Sequence, residues 1–228
     1  MTGLPHLRLY RLGTGWALIV APLLFLVDNL MHPKELTRGH ELEQVGLIAD
    51  SYDRWQAAHA IGFVAIIAFA PAVLGLAFFV RRRQPTLGLV AGGLAVAGLM
   101  GLAAAITIDG FAWGVAGELS QNPEVGHDGA AAALKELQES GWSYVYYLAP
   151  LGFIVGVVML AAGAARQGAA PRWAAAVLAL AVLMVGTETA IVSNAYFIAG
   201  ATVLLAGGVA VGRPILEMSD EQFAQGSV

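Results

Sequence analysis

Cysteine is absent from the 228 residues, which excludes disulfides, thiolate metal sites, thiol nucleophiles and covalently attached haem. Charge is scarce as well: 12% of residues are Asp, Glu, Lys or Arg, against about 25% in a soluble domain. With 58% hydrophobic residues and a mean hydropathy of +0.70, the chain is not a water-soluble globule. There is no Gly-rich phosphate loop, Gly-x-Ser-x-Gly elbow, His-Glu-x-x-His pair or basic nucleic-acid patch, so those function classes are set aside. Long alternations of apolar and polar residues are missing too, which argues against a transmembrane β-barrel.

What is present are six continuous apolar runs: Gly13 to Met31, Trp55 to Val80, Thr86 to Ile108, Trp142 to Ala165, Trp173 to Ala190 and Ala195 to Val211. A helix needs about 20 apolar residues to span a bilayer, so each run is long enough, the last two barely. The reading is all-α: a polytopic six-helix bundle forming one membrane domain over residues 1–228. The first run is read as a span rather than a signal peptide, because Val27-Asp28-Asn29-Leu30 closes it without a small-residue cleavage site.

Arg8, Arg11, Arg81, Arg82, Arg83, Arg166, Arg172 and Arg213 all fall on one side of such a bundle. That side is expected to be cytoplasmic, with both termini inside and the protein in the inner (plasma) membrane. Ten Arg against two Lys, with abundant Ala and Gly, gives the chain the general look of a multi-span protein from a high-GC bacterium. The opposite side holds two longer loops, His32 to Arg54 and Gly110 to Gly141, with ten acidic and four basic residues. Each loop contains an amphipathic pattern: Leu42, Val45, Ile48 and Tyr52 in the first, and Ala131, Leu134 and Leu137 behind an Asp128 cap in the second. Two short helices are expected there, lying over the outer end as a lid or as plain interfacial cover.

Three segment pairs recur in order. Ala21-Pro22-Leu23-Leu24-Phe25-Leu26-Val27 resembles Ala149-Pro150-Leu151-Gly152-Phe153-Ile154-Val155, Arg54-Trp55 resembles Arg172-Trp173, and Ala91-Gly92-Gly93 resembles Ala206-Gly207-Gly208. A duplication of three spans would give two halves of inverted topology, as in many transporters, although a chain this rich in Ala, Gly and Leu also produces such matches by chance. The pairs Gly88/Gly92, Gly152/Gly156 and Gly208/Gly212 allow close helix approach, either inside the bundle or between copies in a homo-oligomer.

Polar residues within the spans carry the functional signal, because ionisable groups in hydrocarbon cost about 2.5 to 3.5 kcal/mol each. Asp28 and His32 close the first span, His59 lies early in the second, Asp109 ends the third, Tyr144 and Tyr147 open the fourth, Glu188 lies late in the fifth, and Asn194 and Tyr196 open the sixth. All fall in the outer layer, and the inner halves contribute almost none. Asp28, His59, Asp109 and Glu188 are the expected catalytic groups, converging within about 10 Å, with Trp113, Trp142, Tyr144, Tyr147, Asn194 and Tyr196 around the substrate. Two chemistries suit this set: a divalent metal on His32, His59, Asp28 and Glu188 that polarises a water, or metal-free acid/base work between carboxyls and His59. Haem between His32 and His59 is disfavoured by the acidic surroundings.

The expected function is therefore a membrane-embedded enzyme, of hydrolase or cyclase/isomerase type. It would act on a lipid-like or isoprenoid-like substrate near the outer leaflet, with membrane lipids and a hydrophobic small molecule as its partners and no nucleic acid. A proton- or cation-coupled carrier and an accessory subunit of a membrane complex are the alternatives.

Overall fold

The computed structural model describes residues 5–33, 40–140, 143–187 and 193–226, apart from the side chains at 5, 143–147 and 149. Of these residues 89% are helical and none is in a strand. In chain order the helices are α1 (Pro5–Met31), α2 (Glu41–Asp50), α3 (Tyr52–Arg81), α4 (Pro85–Ser120), α5 (Gly126–Glu139), α6 (Ser143–Arg166), α7 (Arg172–Gly186), α8 (Asn194–Glu217) and α9 (Asp220–Gln225). Four of them, α1, α3, α4 and α8, are long and apolar enough to cross a membrane. Proline punctuates the chain as its fixed φ requires: Pro33 follows the end of α1, Pro85 opens α4, and Pro171 precedes α7. Pro22, Pro71, Pro150 and Pro214 lie inside helices.

The four long helices α1, α3, α4 and α8 and the shorter apolar stretches of α6 and α7 form a closed ring in chain order. α1 packs on α3, α3 on α4, α4 on α6, α6 on α7, α7 on α8, and α8 returns to α1, with α3 also touching α6 across the middle. Glycine decides where the backbones meet. A Cβ on Gly152 would lie 2.9 Å from the Leu94 carbonyl oxygen, and one on Gly212 2.7 Å from the Gly15 carbonyl oxygen. At both crossings the partner is backbone, so nothing larger fits. The Gly152/Gly156 and Gly208/Gly212 faces expected from sequence are thus occupied within the bundle.

The two crossings do not correspond, however. α1 meets α8 at Gly15, Leu18 and Pro22, up to its proline, whereas α6 meets α4 at Gly152 and Gly156, after Pro150. The matched Ala-Pro segments therefore sit at different heights relative to their crossings. At the centre, Leu18, Phe69, Val73, Phe153, Leu160 and Leu178 close around an apolar void of about 10 Å³, room for one water at most.

Two further features correct the sequence reading. The third apolar run does not end at Asp109: α4 continues to Ser120, and its 36 residues reach about 54 Å, well past a hydrocarbon core of about 30 Å. The cause is a glycine stripe. Gly110, Gly114 and Gly117 lie one turn apart and face His59, Gln56 with Trp55, and Ile48 respectively. Because that face lacks Cβ atoms, α3 and α2 can lie against it and the helix carries on. On this extension α2 and α5 dock around Val45, Ala116, Ala130, Ala131 and Leu134. The two expected cap helices are present, but Leu42 and Leu137 are exposed, and Asp128 lies in the first turn of α5 without capping it.

At the opposite end α9 has no counterpart in the sequence reading. Its Ser219 Oγ accepts from the Gln222 N–H while Gln222 Oε1 accepts from the Ser219 N–H, a reciprocal cap. Gly226 ends the helix at φ +65°, a conformation that suits glycine. Fully buried Phe223 packs against Phe78 and Phe79, and Asp220 accepts from Arg11 Nε at 2.8 Å. The Ser-x-x-Gln spacing and the glycine were the available signals.

Candidate functional site

The capped, acidic end of the bundle gathers polar side chains from α1, α3 and α4. His59 is 7% exposed and lies one helical turn beyond Trp55, which is 2% exposed. The two rings lie 4.3 Å apart between centroids, tilted by 37°, and His32 closes on both at 4.9 Å. The Trp55 indole donates to the Gly110 carbonyl at 3.1 Å, which pins α3 to α4 beside the glycine stripe. On His59, Nδ1 faces the Trp55 carbonyl at 2.9 Å and Nε2 faces Asp109 Oδ2 at 3.2 Å. A carbonyl can only accept, so the ring proton sits on Nδ1. The Asp109 contact is then a hydrogen bond only when the pair carries one more proton, held on Nε2 or on the carboxyl. The His59–Asp109 geometry thus has room for one such proton.

Asp28 joins from α1 and is 5% exposed. Its carboxyl lies against Gly62, where an added Cβ would come within 2.8 Å of Oδ2 and 3.0 Å of Cγ. Gly62 is one turn from His59, so the carboxyl approaches α3 immediately beside the histidine. Asp28 Oδ1 is buried and accepts no hydrogen bond. Such an orphan costs about 1 to 3 kcal/mol or more.

His32 lies just past the end of α1, its Nδ1 3.0 Å from the Pro33 carbonyl oxygen. Burial pushes its imidazole down to about 4, and neighbouring His59 acts in the same direction. It is therefore a neutral ring at neutral pH. Arg54 reaches across from α3 to the carbonyls of Leu30, Met31 and His32, closing the C-terminal turn of α1 with its guanidinium.

Of the expected catalytic residues, Asp28, His59 and Asp109 come together, and Glu188 lies outside the described residues. Among the described residues no three His, Asp or Glu side chains gather in an arrangement that could hold a metal ion. Trp113 packs under the cap with Ala112. Asn194 Nδ2 approaches the Pro33 carbonyl at 3.4 Å, bringing the start of α8 to the end of α1, and Tyr196 shares a 2.7 Å hydrogen bond with Thr187. Trp142 is outside the described residues, as are the side chains of Tyr144 and Tyr147. In the sequence Trp55 and Arg54 stood out only as the start of an apolar run and the end of an outer loop. The available signal was the four-residue spacing of Trp55 and His59, which puts both on one helix face.

These features define a helical membrane protein with a buried histidine–carboxylate cluster at one end of its bundle. Residues 14–216 match the family described as a domain of unknown function (DUF4386), and the chain belongs to that family. No curated protein and no solved structure matches it.

Proposed function

We propose that this protein is a membrane-embedded enzyme that moves protons to and from a lipid-like or isoprenoid-like substrate at the acidic end of the bundle. The observation that carries this reading is the close placement of two unlike proton-holding groups. One is His59, oriented by the Trp55 carbonyl and paired with Asp109; the other is Asp28, with its buried unpartnered oxygen. In an exchange where the His59–Asp109 pair gives a proton at one substrate carbon and takes one back from another, with Asp28 holding the substrate beside it, the site's total proton count is unchanged. That balance suits an isomerase-type reaction without a cofactor. The apolar core beneath the cluster favours a site reached from one end over the through-path a carrier needs, and the unequal helix crossings count against two equivalent inverted halves.

In this reading α1, α3, α4, α6, α7 and α8 are six spans, and the arginine-rich end faces the cytoplasm with both termini. Cysteine-accessibility labelling tests the topology in a chain that has no cysteine of its own. Labelling from outside beside Arg82, with protection near Glu124, would reverse the assignment. The activity is tested by incubating purified protein in D2O with total lipid extract of its expression host and with polyprenol, followed by mass spectrometry. Deuterium entering a lipid with the wild type but not with His59→Gln supports the reading. If no lipid gains His59-dependent deuterium, the enzyme reading fails.

A further inference from the structure

Asp28 Oδ1 is buried and unpartnered. The polar side chains at this end of the bundle are committed elsewhere. Asn29 Nδ2 donates to the Phe25 carbonyl at 2.8 Å, the Trp55 indole donates to Gly110, and both nitrogens of His59 are engaged with Trp55 and Asp109. Arg54 spends its guanidinium on the carbonyls that end α1. That guanidinium is therefore held by backbone, and Asp28, a carboxyl near the end of α1, keeps an open acceptor.

A group that completes such an acceptor must offer an N–H or O–H, and a positive charge adds to it, since a buried carboxylate is stabilised by a counter-charge and not by a donor alone. The surroundings also favour a cation: the two loop regions at this end hold ten acidic residues against four basic ones. The approach is amphiphilic. Ile108 and Phe111, on either side of Asp109 along α4, are 53% and 70% exposed, and Leu30 on α1 is also exposed, so an alkyl chain has apolar surface to lie on beside the cluster.

We propose that Asp28 anchors the substrate's head group, and that this head group is an N–H-bearing ammonium carried on an alkyl chain. This rests on the proposed reading of the Asp28–His59 cluster as a substrate site, and it narrows the substrate to amine-headed amphiphiles. Three probes separate the contributions: octylammonium offers charge and donor, octanol the donor alone, and octyltrimethylammonium the charge alone.

The test is calorimetric titration of the full chain in phosphatidylcholine nanodiscs at pH 7, with empty nanodiscs subtracted. Octylammonium is expected to bind about tenfold or more tightly than either other probe, the difference made by one charge-assisted hydrogen bond. Asp28→Asn should bring the three to within about twofold of one another. Equal binding of the three probes by the wild type overturns the proposal, and so does an octylammonium preference that survives in Asp28→Asn. If that variant does not fold, the wild-type ranking of octylammonium against octyltrimethylammonium decides alone. Binding is read without turnover, so a clear octylammonium preference with no His59-dependent deuterium uptake would overturn the enzyme reading while leaving this site in place.

Discussion

Replacing Gly110 by alanine puts one methyl group against the ring that the whole cluster depends on. An ideal Cβ there would lie 2.7 Å from His59 Cβ and Cγ and 2.8 Å from Cδ2, where ordinary contact begins at 3.4 Å. His59 must then retreat by about 0.7 Å, and it is not free to do so, because Nδ1 faces Trp55 and Nε2 faces Asp109. Moved straight away from Asp109, the 3.2 Å contact becomes about 3.9 Å, beyond hydrogen-bond range. Overpacking costs about 1 to 3 kcal/mol, and a lost charge-assisted hydrogen bond costs about 1.5 to 3 kcal/mol. The expected destabilisation is therefore about 2.5 to 6 kcal/mol, read as a shifted unfolding equilibrium in mixed micelles. Gly93→Ala is the matched control on the same helix, since a Cβ there meets nothing within 4 Å. It should be neutral, or more stable by up to about 1 kcal/mol from helix propensity. If Gly110→Ala is as stable as Gly93→Ala, the glycine stripe does not set the position of His59 and the packing argument is wrong.

Phe223→Ala removes the one fully buried side chain of α9. Truncating a buried Phe costs about 3 to 5 kcal/mol, more than so short a helix can hold against. The expected result is faster hydrogen exchange over residues 219–226 with the ring of long helices intact, and unchanged exchange there would refute the docking role. Arg54→Met frees the carbonyls of Leu30, Met31 and His32, so the His32 amide, which donates to the Asp28 carbonyl at 2.8 Å, should exchange faster. His32, held down to about 4 by burial, should stay neutral in the native protein as pH falls through 6.5. Opened chains take up that proton first, so its packing is fully stabilising above about pH 6.5. The stabilisation falls toward pH 4 by at most about 1.4 kcal/mol per pH unit, less where the ring meets solvent. NMR titration of the His32 ring checks this, and a native midpoint near 6.5 would refute it.

The polar layer shows why a membrane chain exposes its site so readily in sequence. Lipid penalises every ionisable group within a span, so Asp28, His59 and Asp109 stand out against Ala, Leu and Gly without any alignment. Their convergence follows from the same cost, because carboxyls left facing lipid would each bear it alone. What the sequence could not supply was the partner of each group. Asp109 followed by Gly110 reads as a helix end, since glycine weakens a helix by about 1 kcal/mol relative to alanine. Whether that glycine stops the helix or admits a neighbour depends on what lies across it.

The sequence by itself determined that the protein is helical and apolar enough for a membrane, that its charge is divided between an arginine-rich end and an acidic one, and that its intramembrane polar residues crowd the acidic end. Each of these follows from local composition or from the 3.6-residue period, which a single segment carries on its own. Tertiary structure alone decided that α4 runs on to Ser120, that Trp55 is buried on Gly110, that Arg54 closes α1, and that Asp28 keeps an unpartnered oxygen beside the His59–Asp109 pair. Those outcomes depend on contacts between helices distant in sequence. Close backbone approach at glycine uses up some donors and leaves one acceptor open, and no single segment encodes which.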